Sequence, residues 1–351
     1  MRLKETRTLY FILDKEVNFM KKIDFEAHCY SPALLKYFEN RTQYPYYKSK
    51  DYALFFSDDF SIKSDYKMTH LIESCEERLA VMDKFGVTMQ ILSCSPGIEL
   101  MDDPAQAIEV AREVNDWMYS STQKHPGRFR AFAALPVQDT AAACAELERC
   151  VKKLGFLGWL TFSNFGSTYP DDDRYAPIFD KAGELGATVY LHPTQPCDSR
   201  LTGLGAQLAA ASFGFGIDTS VTLMRLILKG TFDRNPNLKM VVGHLGEIFP
   251  FILKRMAERG KNYKRPPAVN KELPSEYFKK NIWVTTSGQY CHSAFHCTRE
   301  VLGMDRILIG SDYPYEFPEE CHDFERELVL SKIDKEKLFF RNAEEFFGIK
   351  L

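Results

Sequence analysis

The chain has 351 residues, 45% of them hydrophobic and 26% charged, with a formal net charge of -3. Its pI is near 6.3 and its mean hydropathy is -0.29. These values fit a globular protein with a sizeable core, leave no basic surplus for a nucleic-acid specialist, and include no apolar run of the roughly 18 residues that a membrane span needs.

Residues 1–19 (MRLKETRTLYFILDKEVNF) mix charge with a short apolar stretch and read as an extension, with the core fold beginning at residue 20. Short β-branched or aromatic runs then alternate with longer helical patterns. The expected strands are 23–28, 88–94, 129–135, 157–162, 187–192, 239–244, 282–286 and 307–312. Between them, residues 105–124, 139–154, 172–185 and 219–229 read as helices; the first stops at His125-Pro126-Gly127, and the second runs from an Asp cap to Gly155. Eight strands with interleaved helices and one composition regime predict a single (β/α)8 barrel over residues 20–351, of α/β class. A doubly wound sheet is the competitor, but no GxGxxG follows the first strand.

Two stretches interrupt the repeat. Residues 29–70, rich in Tyr and Phe, form an insertion after strand one, at the rim where a barrel carries its chemistry, so they are expected to wall a pocket or meet a neighbouring subunit. Residues 260–280 are polar, contain prolines and read as an extended loop. The nine cysteines are odd in number and form no CxxC pair, which predicts free thiols and a reducing cytoplasm.

Potential metal ligands fall at the carboxyl ends of four expected strands: Glu26 and His28, His192, His244, and Asp312. These ends converge on one mouth in a barrel, and imidazole with carboxylate suits Zn or Mn. Each residue alone has a structural reading: a hydrogen-bonded histidine, or a turn-capping aspartate. Jointly they are harder to dismiss, since three of the eight histidines end strands; His70, His125, His292, His296 and His322 are expected at the surface. Tyr313 and Tyr315, beside Asp312, are candidates for lining the site and contacting substrate. Cys29 reads as a packing residue, having no base placed for it.

The runs IDFEAH, NDWMYSSTQKHPGRFRAFAALPVQD, LHP, RLILKGTFDRNPNLKMVVGHLGE, IWVTTSG, DRILIGSDYPYE and NAEEFF resemble the amidohydrolase-related metal-dependent decarboxylases over residues 20–351. Glu26, where the superfamily usually has the first histidine of HxH, resembles the branch acting on hydroxybenzoates (γ-resorcylate, 2,3-dihydroxybenzoate and 5-carboxyvanillate). The resemblance implies one divalent ion, Zn or Mn, held by Glu26, His28, His192 and Asp312. It also implies catalytic roles for Asp312, His244 and Glu247, a substrate contact for Arg255, and a homodimer or homotetramer. The expected activity is nonoxidative decarboxylation of a hydroxylated aromatic acid, with ring-carbon protonation followed by CO2 loss. The alternative is a metal-dependent hydrolase or hydratase of the same superfamily acting on a lactone, amide or enol.

Overall fold

A computed structural model describes residues 20–263 and 267–349; the expected extension at 1–19 lies outside them. Eight parallel strands form the barrel: β1 Ile23–Cys29, β2 Met89–Cys94, β3 Phe129–Ala133, β4 Gly158–Phe162, β5 Thr188–His192, β6 Met240–Val242, β7 Ile282–Thr285 and β8 Ile307–Leu308. They pair in chain order. The seam between β8 and β1 is closed by two amides: Phe25 donates to the Ile309 carbonyl at 2.9 Å and His28 to that of Tyr313 at 2.7 Å. This is a (β/α)8 barrel, and each strand sits where an apolar run predicted it.

The barrel interior is divided by height. Its lower half is filled by Ile23, Phe25, Ile91, Phe132, Leu160, Tyr190 and Val241. The C-terminal helix Asn342–Phe347 seals the bottom, with the Phe347 ring stacked on Phe25 at 5.0 Å. Apolar closure below frees the upper half for polar side chains. The outer helices bury their amphipathic faces against the strands, as in Pro104–Lys124, where Ala107, Ala111, Val114 and Met118 are buried.

A β-bulge in β1 decides what faces inward. Asp24 pairs with Gln90 and Ala27 with Leu92, so β1 carries one residue more than β2 over this interval. The extra residue resets the in-out alternation. Phe25 therefore joins the lower core while Glu26 and His28 also point inward, above it.

The insertion is folded rather than loose. It comprises the helix Pro32–Glu39, an antiparallel sheet of 46–48, 53–55 and 61–63, and the helix Asp65–Leu71. Ser31 and Ser64 cap the two helices through their hydroxyls. The segment 260–280 differs from expectation at its end, where Pro274–Lys280 is helical; proline at the first turn and two terminal lysines stabilise it. Contrary to the expectation that no run is long enough, residues 206–228 contain a stretch that by length and composition could cross a membrane. It is split between Ala206–Ala209 and Gly214–Leu228, and Leu223, Leu226 and Ile227 are buried against the barrel.

Candidate metal centre and active site

Four side chains from three strand ends meet above the apolar plug. One ligand atom from each of Glu26, His28, His192 and Asp312 lies within 4.8 Å of the other three. The Nε2 of His28 is 3.0 Å from Oδ1 of Asp312 and 3.4 Å from Oε1 of Glu26, and the Nε2 of His192 is 3.1 Å from that Glu26 oxygen.

The surrounding hydrogen bonds fix which atoms face the centre. Nδ1 of His192 is 2.7 Å from the Pro193 carbonyl, which can only accept, so the proton sits on Nδ1 and Nε2 keeps its lone pair. Nδ1 of His28 is 3.0 Å from the Ser93 hydroxyl, which donates to the Ala27 carbonyl and accepts from the ring. Glu26 accepts on Oε2 from Tyr190 and from Thr285, the latter at 3.0 Å. The other atom of each group (Oε1 of Glu26, Nε2 of His28, Nε2 of His192 and Oδ1 of Asp312) is buried without a hydrogen-bond partner.

With both imidazoles neutral, four lone-pair atoms aimed at one point repel one another, and each orphan costs about 1–3 kcal/mol. A cation at their centre removes both costs, and the donor set of two imidazoles and two carboxylates fits a divalent ion. The electrostatics agree. Burial opposes a charge on His28, but Asp312 and Glu26 outweigh it and raise the ring to about 9. Burial pushes Glu26 and Asp312 upward, yet the neighbouring imidazoles hold both below the usual carboxylate range.

His244 stands beside this group. Its Nδ1 is 2.9 Å from Oε1 of Glu247, and its Nε2 faces Oδ2 of Asp312 at 3.9 Å. Burial lowers its basicity, but Glu247 and Asp312 raise it well above the usual imidazole range. The two oxygens of Asp312 thus have different neighbours: Oδ1 meets His28 and His192, and Oδ2 meets His244.

The loops that carry these residues are strained. His244, Leu245, Glu247 and Asp312 adopt positive φ angles of 54°, 58°, 56° and 55°. Each such non-glycine residue costs on the order of 1–3 kcal/mol, a cost that clusters at functional sites. Gly288 packs against both groups: a Cβ there would lie 2.9 Å from Cδ2 of His244 and 3.4 Å from Oδ2 of Asp312.

A cavity of about 290 Å³ opens over His192, His244 and Asp312. Phe56, Phe60, Ile62, Lys63 and Lys67 of the insertion wall it, with Ala211 and Phe215 opposite and Tyr315 and Glu316 beside Asp312. The Tyr315 ring centre is 5.2 Å from that of His28. Burial and the Asp312 charge raise Glu316 to about 7.

Two expected substrate contacts stand elsewhere. Tyr313 is 1% exposed and turns away from the cavity, donating its hydroxyl to Glu73 at 2.9 Å. Arg255 lines a separate groove with Met224, Met256 and Tyr263, because its helix, Phe249–Gly260, runs down the outside of the barrel. Of the five histidines expected at the surface only His296 is exposed; His70, His125, His292 and His322 are half-buried, with Nδ1 of His70 2.6 Å from Oε2 of Glu73. Residues that sequence reasoning missed are Ser93, Tyr190 and Thr285, which orient the inward side chains, and Glu316 on the cavity wall; Phe60 and Lys67 belong to the insertion expected to wall a pocket, though neither was singled out. Tyr190 and Thr285 lie on strands already identified, and inward alternation along them is the one signal that could have found them.

The chain is 35% identical over 293 residues to a γ-resorcylate decarboxylase of Polaromonas sp. JS666, covering 80% of this chain and 89% of that one. A crystal structure of dihydroxybenzoic acid decarboxylase from the same Polaromonas strain, with bound manganese and the inhibitor 2-nitroresorcinol, superposes with a TM-score of 0.81 at 31% identity, covering 94% and 97% of the two chains. The 5-carboxyvanillate decarboxylase of Novosphingobium aromaticivorans, complexed with manganese and 4-hydroxy-3-methoxy-5-nitrobenzoic acid, gives 0.84 at 28% identity, covering 95% and 97%. With its barrel, its inward Glu26 and His28 and a family match over residues 23–349, the chain belongs to the amidohydrolase family.

Proposed function

We propose that this protein is a metal-dependent carboxy-lyase that removes CO2 from a hydroxylated aromatic acid. The observation that carries the reading is the set of four converging, unpartnered atoms of Glu26, His28, His192 and Asp312 at the floor of a ring-sized, aromatic-walled cavity. Its relatives include decarboxylases of γ-resorcylate and 5-carboxyvanillate.

These four residues would hold a divalent ion, Zn or Mn, which when bound would supply Lewis-acid charge to anchor and orient an anionic ortho-hydroxy acid. The chain supplies the rest. Phe56, Phe60, Pro96 and Phe215 offer apolar faces that hold the ring and keep water from it. Oδ2 of Asp312, the oxygen turned away from the other three ligands, takes a proton from the neighbouring His244 imidazolium and relays it to the ring carbon bearing the carboxylate. When the C–C bond breaks, its electron pair restores aromaticity and CO2 leaves. Glu247 anchors His244 for its transfer to Oδ2. Tyr315 closes the cavity beside His28, and neither Tyr313 nor Arg255 contacts substrate within one chain.

Nine free thiols support a reducing compartment. The exposed Phe213 and Phe251 support self-association as a dimer or tetramer.

The test is to load the protein with Mn2+ or Zn2+ and follow a panel of ortho-hydroxybenzoic acids in D2O. CO2 release with one deuterium at the vacated ring carbon supports the reading. Turnover of a lactone, amide or enol with water incorporated, and none of the acids, replaces it with the hydrolase or hydratase alternative.

A further inference from the structure

The residue that sequence reasoning placed in the substrate pocket, Tyr313, belongs to a buried cluster behind it. Its backbone carbonyl accepts the His28 amide at 2.7 Å. Its hydroxyl donates to Oε1 of Glu73 at 2.9 Å, and its ring lies 4.9 Å beneath the Arg78 guanidinium. Arg78, on the helix Cys75–Lys84, reaches Glu73 through Nε at 3.2 Å. Its Nη2 donates to two carbonyls, that of His28 at 2.8 Å and that of His70 at 3.0 Å. The His28 peptide is therefore gripped on both sides, by Tyr313 at its N–H and by Arg78 at its C=O. Tyr313 is also the residue after Asp312, so the same cluster holds the turn that presents that carboxylate.

Stability alone does not account for this arrangement. Arg78 is 3% exposed, and its Nη1 has no hydrogen-bond partner. A buried ion pair with an unsatisfied donor is a weak stabiliser, and apolar residues of similar volume are often its equal. What the guanidinium adds is direction: a fixed fork can hold two carbonyls from different elements in one register. One of them belongs to a proposed metal ligand. The other belongs to the helix Asp65–Leu71, whose Lys67 lines the cavity.

We infer that Arg78 is a positioning residue that, with Glu73 and Tyr313, sets the His28–Asp312 approach and ties the cavity-walling insertion to the metal centre. This rests on reading the four converging side chains as that centre.

The experiment compares Mn2+ affinity, by titration of the chelated and reloaded protein, in wild type, Arg78→Lys, Tyr313→Phe and a control, Asn281→Ala. Asn281 is buried at the opposite end of the barrel, where its amide donates to the carbonyls of Pro236 and Leu238, so its loss reports destabilisation alone. Lysine keeps the charge of Arg78 but not its fork. Arg78→Lys is expected to weaken Mn2+ binding roughly 10- to 100-fold. Tyr313→Phe keeps the ring, loses the bond to Glu73 and gives a smaller weakening; it carries the test should Arg78→Lys fail to fold. Asn281→Ala binds Mn2+ as wild type does, even where its Tm falls as far. Wild-type affinity in both Arg78→Lys and Tyr313→Phe, or an equal loss in the control, overturns the positioning role and leaves the metal centre standing. A wild-type protein that binds no divalent ion overturns both.

Discussion

Phe25 and Glu26 are consecutive residues of one strand, yet both face the interior of the barrel. Phe25 stacks on Phe347 in the lower plug, and Glu26 stands above it, bonded to Tyr190 and Thr285. The bulge between Asp24 and Ala27 makes this possible. In a regular strand a residue of the plug and its neighbour would face opposite sides, and either the plug or the inward carboxylate would be lost. The bulge lets one strand supply both the floor of the site and the first of its proposed ligands.

Tyr190 and Thr285 fix the orientation of that carboxylate by occupying Oε2 and leaving Oε1 for the centre. Tyr190→Phe leaves the ring in the apolar plug and removes one of two donors. Such partners of a metal ligand are typically worth roughly 10–100-fold in metal affinity or activity. The expected outcome is a loss in that range in Mn2+ titration, with little change in Tm. Unchanged affinity would mean that Thr285 alone orients Glu26.

His244, the proposed proton source, lies outside the four-residue cluster, so its substitution tests proton delivery apart from metal binding. His244→Asn is expected to retain the metal and lose decarboxylation by roughly 10²–10⁴-fold, the usual worth of a positioned acid or base. Glu247→Gln, which weakens the grip on Nδ1 but keeps the imidazole, is expected to fall in between. Metal content by elemental analysis and kcat from ultraviolet traces check both. A His244→Asn protein with wild-type kcat would leave Asp312 without the proton source argued above.

Strand ends were legible because apolar runs such as ATVYLH and KMVVGH stop at chemistry-bearing residues, and a barrel gathers such ends at one mouth. Four features were not legible, each for its own reason. The bulge leaves no mark in IDFEAHC, because pairing register is a property of two strands. The direction of Tyr313 depends on the positive φ of Asp312 before it. The insertion reads as an aromatic loop because its strands are three residues long, too short for alternation to register. The outward course of the helix bearing Arg255 was hidden by resemblance, which carries a residue's role but not its place in a single chain.

Lys67 is a half-buried cation on the cavity wall whose ammonium has, among the described residues, no ion pair within 4.0 Å. It stands across from apolar rings and near Glu316, whose carboxyl feels its charge. Lys67→Met keeps most of the side-chain volume and removes the charge, so it is expected to raise KM for an anionic substrate several-fold while kcat changes little. The comparison is a steady-state KM measurement at low and high salt. A KM that does not move would place Lys67 outside substrate recognition.

Glu99 offers a pH test remote from proton transfer. Its buried carboxyl accepts from the Gly97 amide at 2.9 Å, and burial raises it from 4.5 to about 7. A raised acid favours folding while protonated: that contribution is complete below about pH 4.5 and is lost as the pH rises through 7. The span of about 2.5 pH units between those values sets a ceiling of about 3 kcal/mol on the loss. Glu99→Gln preserves the acceptor for Gly97 and removes the charge. In chelated protein, where no bound cation perturbs the carboxyl, the variant should unfold at higher denaturant than wild type at pH 8 and at nearly the same denaturant at pH 4.5. The gap therefore opens with rising pH. Were the two proteins separated equally at both pH values, the difference would lie in packing and not in the ionisation of Glu99.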